Sequence, residues 1–324
     1  MTFSKIPVIT RLAAQQESSI IEAGALIRTG QLVAFPTETV YGLGANAYDE
    51  RAVSDIFAAK KRPRINPLIV HITNLEAAEK LVNFNDQAAK LARTFWPGAL
   101  TLVLPRKEPC SLALLVSAGL DTVAVRVPAH PVAKGLLEAA GVPIAAPSAN
   151  RSGYVSPTTA QHAHTELEGC VSMIIDGGPC QIGLESTIIG FDGDKPLLLR
   201  KGAITTDAIE QITGRLMEPQ AKKLLAPGMM TSHYAPKAAI RLNATTVHEH
   251  EVLLAFGSVL PPGNYTCCNL SPSEDLKEAA ANLFSMLRIL DHLPARRIAV
   301  MPIPLNNLGE AINDRLARAA APRD

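Results

Sequence analysis

Four cations crowd into five residues of this sequence: Lys60, Lys61, Arg62 and Arg64, with Pro63 between the last two. Like charges this close repel, and salt screens that repulsion at an open surface. One reading is a solvated helix end, where Lys and Arg suit the negative pole of the helix dipole. The other is a clamp for a polyphosphate, in which Arg offers a planar fork and Lys a point charge. Upstream, Pro36 is followed by Thr37, Glu38 and Thr39, and a glycine turn is expected at Gly42 and Gly44. That polar turn would lie beside the clamp, at the end of the first strand.

Further polar side chains recur where strands should end: Thr122, Arg126, Ser148, Asn150, Ser186 and Arg200. Each alone is ordinary. An Asn/Ser/Gly loop is common, and an Arg on a strand is often solvated. With Thr37 they describe one rim, and with the cations a pocket for a polyanion and a small polar molecule. No Ser-His-Asp set, carboxylate pair or metal cage stands out. His162 and His164 would face different sides of a helix and are read as surface residues, as are His248, His250 and His292. Chemistry on such a rim rests on positioning and cationic stabilisation, which suits phosphoryl or nucleotidyl transfer.

The elements that must hold these groups alternate. A helix over 18–29, with Ile20, Ile21, Leu26 and Ile27 inward, stops at Gly30. A strand runs into Pro36, and a short helix follows with Val53, Ile56 and Phe57 on one face. Strands are expected over 67–72, 100–104, 121–128, 143–146, 173–175, 183–189 and 197–199. In 121–128, Val123, Val125 and Val127 share one face, while Thr122, Ala124 and Arg126 share the other. Helices are expected over 75–95, 131–140 and 206–214, and another starts at Ser156-Pro157-Thr158. Residues 112–120 are apolar and ambiguous. The run from Gly42 to Ala47 mimics a dinucleotide fingerprint, but Asp49, Glu50 and Arg51 intervene before the helix, and no GxxxxGK[ST] loop exists. Beyond 215–236, strands over 252–256, 265–270 and 298–301 alternate with helices over 274–291 and 308–320, a small parallel α/β unit. The last helix carries both charge signs and should be solvated on one face.

Composition sets the outer limits. The chain has 324 residues, 47% hydrophobic content and a formal net charge of +1, so no global field draws it to nucleic acid or membrane. Its five cysteines form no CxxC pair or zinc spacing, and neither a signal peptide nor a bilayer-spanning run is visible. The expectation is a cytoplasmic protein. Its parts are a domain over 1–214, a linker over 215–237 and a domain over 238–324. The linker is too apolar for a passive tether and carries a His-Tyr pair between prolines.

Five segments carry a resemblance: PTETVYGLG, Lys60-Lys61-Arg62-Pro63 with NPLIVH, DTVAVRVP, APSAN and PGMxxxHYAP. In order and number they resemble the threonylcarbamoyl-AMP synthases, YrdC-like proteins, in their long two-domain form. The likeness runs from about residue 15 to the end. It implies a twisted mixed sheet with helices, followed by a smaller Rossmann-like α/β domain. It also implies a reaction: L-threonine, bicarbonate and ATP give threonylcarbamoyl-AMP and diphosphate. That product feeds a tRNA threonylcarbamoyltransferase that makes N6-threonylcarbamoyladenosine.

By the same likeness, Lys60, Arg62, Ser148 and Asn150 are catalytic. Lys60, Arg64, Thr122, Ser148, Ser156, Arg200 and Tyr234 contact ATP. Thr37, His71, Arg126, Ala146 and Ser186 contact L-threonine, with Arg126 on its carboxylate. Mg²⁺ is expected to travel with ATP, with no metal site of the protein's own. The linker is expected to fold over the pocket as a lid, closed by Tyr234. Two departures stand out: Lys61 replaces a small residue, and Met230, Thr231 and Ser232 carry no charge where some relatives are basic. Weak tRNA binding is compatible with the near-neutral charge. A non-catalytic double-stranded RNA binder is the alternative reading, and ATP consumption that needs threonine and bicarbonate separates the two. Carbamoyl transfer of the hydrogenase-maturation type shares the YrdC unit but lacks this linker.

Overall fold

The computed structural model describes residues 8–219, 226–228 and 232–322. The first part of the chain runs β1 (Arg11–Ala14), α1 (Glu17–Arg28), β2 (Val33–Phe35), β3 (Gly42–Asn46), α2 (Glu50–Lys60) and β4 (Ile69–His71). It continues through α3 (Leu75–Glu79), α4 (Asp86–Phe95), β5 (Leu100–Pro105), β6 (Thr122–Arg126), α5 (Pro131–Ala140) and β7 (Ile144–Ala145). Then come α6 (Ala160–Leu167), β8 (Met173–Asp176), β9 (Thr187–Asp192), β10 (Lys195–Arg200) and α7 (Thr206–Thr213). The remainder is β11 (Ala239–Arg241), β12 (Glu251–Ala255), β13 (Cys267–Asn269), α8 (Leu276–Asp291), β14 (Arg297–Val300) and α9 (Leu308–Ala320).

Strands β1 to β10 form one mixed sheet in the order β1-β8-β2-β3-β7-β4-β6-β5-β9-β10. Strands β11 to β14 form a second sheet, order β11-β14-β12-β13, with every pairing parallel. This is the mixed α/β architecture with a small parallel unit that the sequence implied. β6 lies between β4 and β5 rather than at an edge. Its alternation holds: Val123 and Val125 enter the main core, while Ala124 faces a separate cluster with Ile69 and Ile188.

Several expectations fail for identifiable reasons. The glycine turn at Gly42 and Gly44 is strand β3, antiparallel to β2. A Cβ on Gly44 would lie 2.8 Å from Ile144 Cγ2 and 2.9 Å from Phe35 Cε1, so glycine here makes room for the neighbouring layer rather than for a turn. The helix expected over 75–95 is two helices, because Asn74 and Asn85 each cap a start and Val82 bridges to Arg106 between them. The helix expected from Ser156 starts at Ala160, after the Thr159 cap. Residues 112–120 hold only a 3₁₀ turn, Leu114–Ser117. Strand β11 has three residues, none buried, and the sequence reading passed over it.

The two sheets share apolar packing. Val40, Val155 and Leu184 join the cluster built by α8, α9 and β12, and Tyr234 joins it too. Gly183 lets them meet: its φ is +73°, and a Cβ there would lie 2.5 Å from the Ala280 carbonyl oxygen of α8.

Candidate functional site

A hollow opens where the ends of β2, β4, β6, β7 and β10 and the chain before β9 converge. It holds about 550 Å³ of empty space including its mouth, of which about 50 Å³ admits the centres of water-sized molecules.

One wall follows β2. Thr37 Oγ1 meets Thr39 Oγ1 at 2.8 Å and donates to the Val40 carbonyl at 2.6 Å, folding the polar turn on itself. Arg126, at the end of β6, reaches across to it. Its Nη2 donates to Glu38 Oε1 at 2.6 Å, its Nη1 to Thr39 Oγ1 at 3.0 Å and its Nε to the Gly98 carbonyl at 3.1 Å. Burial works to raise the Glu38 carboxyl, yet the facing guanidinium holds it below its usual range. His71, at the end of β4, stands edge-on to Phe35, and its Nδ1 has no partner among the described residues. Burial, with Arg126 adding repulsion, pushes its imidazole down to about 3. His71 is therefore neutral. Ala146 closes this wall.

The opposite wall follows β9 and β10. Ser186 Oγ lies 2.7 Å from Thr101 Oγ1, and Arg200 forks onto Ser186 with Nη2 at 2.9 Å and Nε at 3.1 Å from its carbonyl. Arg200 Nη1 reaches the Pro227 carbonyl at 3.3 Å. Glu185 lines the hollow, with Oε1 accepting from Ser156 Oγ at 2.6 Å. Its Oε2 sits 2.7 Å from Arg315 Nε.

The cationic cluster divides. α2 ends at Lys60, and Lys61 adopts a left-handed conformation (φ 50°) as its C-cap, which turns the chain out of the helix. Lys60 and Arg62 turn inward and are buried, while Lys61 and Arg64 are exposed. Arg62 lines the hollow, with Nη2 on Asn66 Oδ1 at 2.6 Å and on the Pro67 carbonyl at 2.8 Å. Lys60 does not line it. Its ammonium donates to the backbone carbonyls of Ser148 (2.5 Å) and Asn150, tying α2 to that loop. Burial, reinforced by Arg62, lowers the Lys60 ammonium well below its ordinary range.

Of the residues singled out in the sequence, Thr37, Arg62, His71, Arg126, Ala146, Ser148, Ser186, Arg200 and Tyr234 line this one hollow. Lys60, Asn150 and Ser156 touch its walls from outside it. Asn150 Nδ2 donates to the Arg151 and Tyr154 carbonyls, both at 2.8 Å, and stiffens the loop that carries Ser148. Two residues are not brought in. Arg64 follows the outward turn and donates to Ser54 Oγ at 3.3 Å on another face. Thr122 starts β6, four residues and so roughly 13 Å from Arg126 at the other end.

The linker contributes Pro227, Gly228, His233 and Tyr234 to the lining. Tyr234, buried and at φ 62°, stacks on Phe284 of α8 with centroids 5.7 Å apart. Residues 220–225 and 229–231, including Met230 and Thr231, lie outside the described residues. Ser232 points to the Ala321 carbonyl at 3.5 Å.

Three participants escaped the sequence reading. Glu185 was visible only as an acid beside Ser186-Thr187, and His233 only as half of the His-Tyr pair. Arg315 gave no signal, because it sits in a helix of mixed charge that looked solvated and is 0% exposed. His162 is half-buried rather than superficial, and burial, with Arg288 adding repulsion, lowers it to about 4.

Residues 25–202 match the Sua5/YciO/YrdC family, described as telomere recombination, and residues 204–321 match the threonylcarbamoyl-AMP synthase C-terminal domain. The sequence is 40% identical to the threonylcarbamoyl-AMP synthase of Bacillus subtilis over 97% of this chain and 96% of that protein. This chain belongs to the threonylcarbamoyl-AMP synthase family. A second member, from Pyrococcus abyssi, is 42% identical over 95% of this chain and 96% of its own length. The crystal structure of Pyrococcus abyssi Sua5 complexed with L-threonine superposes with a TM-score of 0.87, at 39% identity, over 97% of this chain and 98% of that one. The family likeness therefore spans both sheets and the segment between them.

Proposed function

We propose that this chain makes threonylcarbamoyl-AMP from L-threonine, bicarbonate and ATP, with release of diphosphate. The observation that carries the reading is the hollow itself. Hydroxyls, a neutral imidazole and three buried guanidiniums, from positions 37 to 200, surround one space beside Tyr234. The full-length kinship to named threonylcarbamoyl-AMP synthases supports it, as does the threonine complex of the Pyrococcus relative.

In this reading, Thr37, His71, Arg126, Ala146 and Ser186 receive L-threonine. Arg126 makes one protein bond from each nitrogen, which leaves two of its five N–H groups for the threonine carboxylate. The threonine amine attacks the bicarbonate carbon, a C–N bond forms, a C–O bond breaks, and water leaves to give a carbamate. A carbamate oxygen attacks the α-phosphorus, the bond from that phosphorus to the bridging oxygen breaks, and diphosphate leaves. Arg62 and Arg200 offset the charge that builds on the α-phosphate and the leaving group. Ser148 and Tyr234 contact the nucleotide. Lys60 and Asn150 act through the 148–150 loop, and Ser156 acts through Glu185. Arg64 and Thr122 receive no role. The linker, as a lid, excludes water from a labile mixed anhydride.

Mg²⁺ would come bound to ATP. Among the described residues no group of three or more His, Cys, Asp or Glu side chains gathers to hold a metal. A transferase that uses the adenylate on tRNA would act downstream, and weak tRNA contact fits the near-neutral charge. A duplex-RNA binder would need an open basic face, whereas Lys60, Arg62, Arg126 and Arg200 are at most 8% exposed. No described helix is long and apolar enough to cross a membrane. The five cysteines are free thiols, which suits a reducing cytoplasm. Incubating the purified protein with ATP, Mg²⁺, L-threonine and bicarbonate tests the proposal. The expected product is threonylcarbamoyl-AMP by mass spectrometry, lost when threonine or bicarbonate is omitted. Its absence from the complete mixture refutes the reading.

A further inference from the structure

Arg315 has no part in the roles above, yet it ties the second sheet's helix layer to the wall of the hollow. It lies on α9 and is 0% exposed. Its Nε meets Glu185 Oε2 at 2.7 Å, and the other Glu185 oxygen accepts from Ser156. Its Nη2 donates at 2.7 Å to the carbonyl of Lys201, the residue after Arg200. Its Nη1 lies 2.6 Å from Asp314 Oδ2. Its guanidinium carbon stands 5.0 Å from the centre of the Tyr234 ring. The linker backbone is fastened to the same helix, since His233 N donates to the Arg318 carbonyl at 3.2 Å.

These contacts are one-sided. Glu185 with Ser156, the backbone beside Arg200, and Tyr234 all touch groups assigned to the nucleotide; Ser186, assigned to threonine, follows Glu185 in the chain but is not itself a partner of Arg315. Thr37, His71 and Arg126, on the threonine wall, are not among the partners of Arg315. Two physical consequences follow. A bare carboxylate at Glu185 would repel a triphosphate, and the paired guanidinium neutralises it while fixing both oxygens. Tyr234 holds a left-handed backbone that a non-glycine residue rarely adopts, so its ring orientation must be imposed by neighbours. The Arg315 cation and the Phe284 ring, both packed against it, supply them.

We infer that Arg315 is a positioning residue for nucleotide binding: docked α9 uses it to hold Glu185 and the Tyr234 ring, so that the nucleotide wall is complete only with the second sheet in place. The inference rests on the synthase reading for the identity of the nucleotide. It differs from a general stabilising role in being selective for one substrate.

The test compares the full-length wild type with Arg315→Lys, Arg315→Met and the double variant Arg315→Met/Glu185→Gln. Dissociation constants for ATP and for L-threonine are measured separately by calorimetry, alongside thermal melting. The expected result for Arg315→Met is an ATP affinity weaker by about tenfold, with threonine affinity within about twofold of wild type. Arg315→Lys keeps the charge without the fork and recovers part of the loss. Removing one partner of a buried pair can unfold a protein, and the double variant removes the stranded charge as well. It should melt near wild type and regain only the share of ATP affinity lost to the bare carboxylate, because the Tyr234 ring still lacks its cation. Equal losses for both ligands overturn the inference, as does unchanged ATP affinity in Arg315→Met. So does a double variant that regains the full wild-type ATP affinity together with stability. A failed synthase reading shows separately, as wild type that binds ATP but makes no threonylcarbamoyl-AMP. Wild type that binds no ATP overturns both.

Discussion

His71 should make this protein acid-sensitive well above the carboxylate range. Its imidazole titrates near 6.5 in an unfolded chain and near 3 in the folded one, because burial opposes the charged form and Arg126 adds repulsion. Between those values the unfolded chain binds a proton that the native one refuses. The stability this group lends is therefore complete above 6.5 and is lost as the pH falls. Between about pH 8 and about pH 5 the unfolded state gains RT ln(1 + 10^1.5), roughly 2 kcal/mol, while native His71 remains neutral. That figure holds wherever the native value lies below about 4. Urea denaturation of wild type and His71→Gln at the two pH values measures it. His130, His162 and His233, all lowered by burial, are present in both proteins and cancel in the difference. Wild type should lose about 2 kcal/mol more than the variant. Identical pH dependence would refute the reasoning. The neutral form also matters chemically, since the buried, unpartnered Nδ1 of a neutral imidazole leaves no uncompensated positive charge beside Arg126.

Three further outcomes follow from the same geometry. Lys60→Met frees the Ser148 and Asn150 carbonyls and should lower turnover by about 10²-fold through misplacement of the loop, measured by steady-state kinetics; near wild-type rates would contradict the positioning role. Arg126→Gln strands the buried Glu38 carboxylate and should cost about 3–5 kcal/mol in urea denaturation, with part recovered by adding Glu38→Gln. Gly44→Ala forces a Cβ to within 2.8 Å of Ile144 and 2.9 Å of Phe35, and should destabilise by about 1–3 kcal/mol, read as a lowered melting temperature.

Much of the site was legible because strand ends announce themselves. Thr37, Arg126, Ser148 and Arg200 follow short β-rich runs, and parallel or mixed sheets gather such ends at one edge. The period-two pattern of 122–126 placed Arg126 on the correct face, since side-chain direction in a strand is set by backbone geometry alone. The cationic cluster was legible as charge but not as direction. Past the left-handed Lys61 cap Arg62 faces in and Arg64 faces out; Pro63 signals the helix end but not the direction of either side chain. Gly42 and Gly44 misled for a related reason: a glycine that admits a turn also admits a close neighbour, and only the Phe35 ring shows which is needed. Arg315 was beyond reach. A buried ion pair between residues 130 positions apart exists only once the two sheets pack, and an Arg on an amphipathic helix looks the same whether or not a partner waits for it.

Attack at the α-phosphate by an activated threonine is the step on which the proposed synthase activity depends. Radiolabelled diphosphate offered with ATP and Mg²⁺ tests this directly, because reversal of that step moves label into ATP. The expected result is exchange that requires L-threonine and bicarbonate together. Exchange indifferent to either, or cleavage of ATP to ADP and phosphate in place of AMP-linked product, would contradict it.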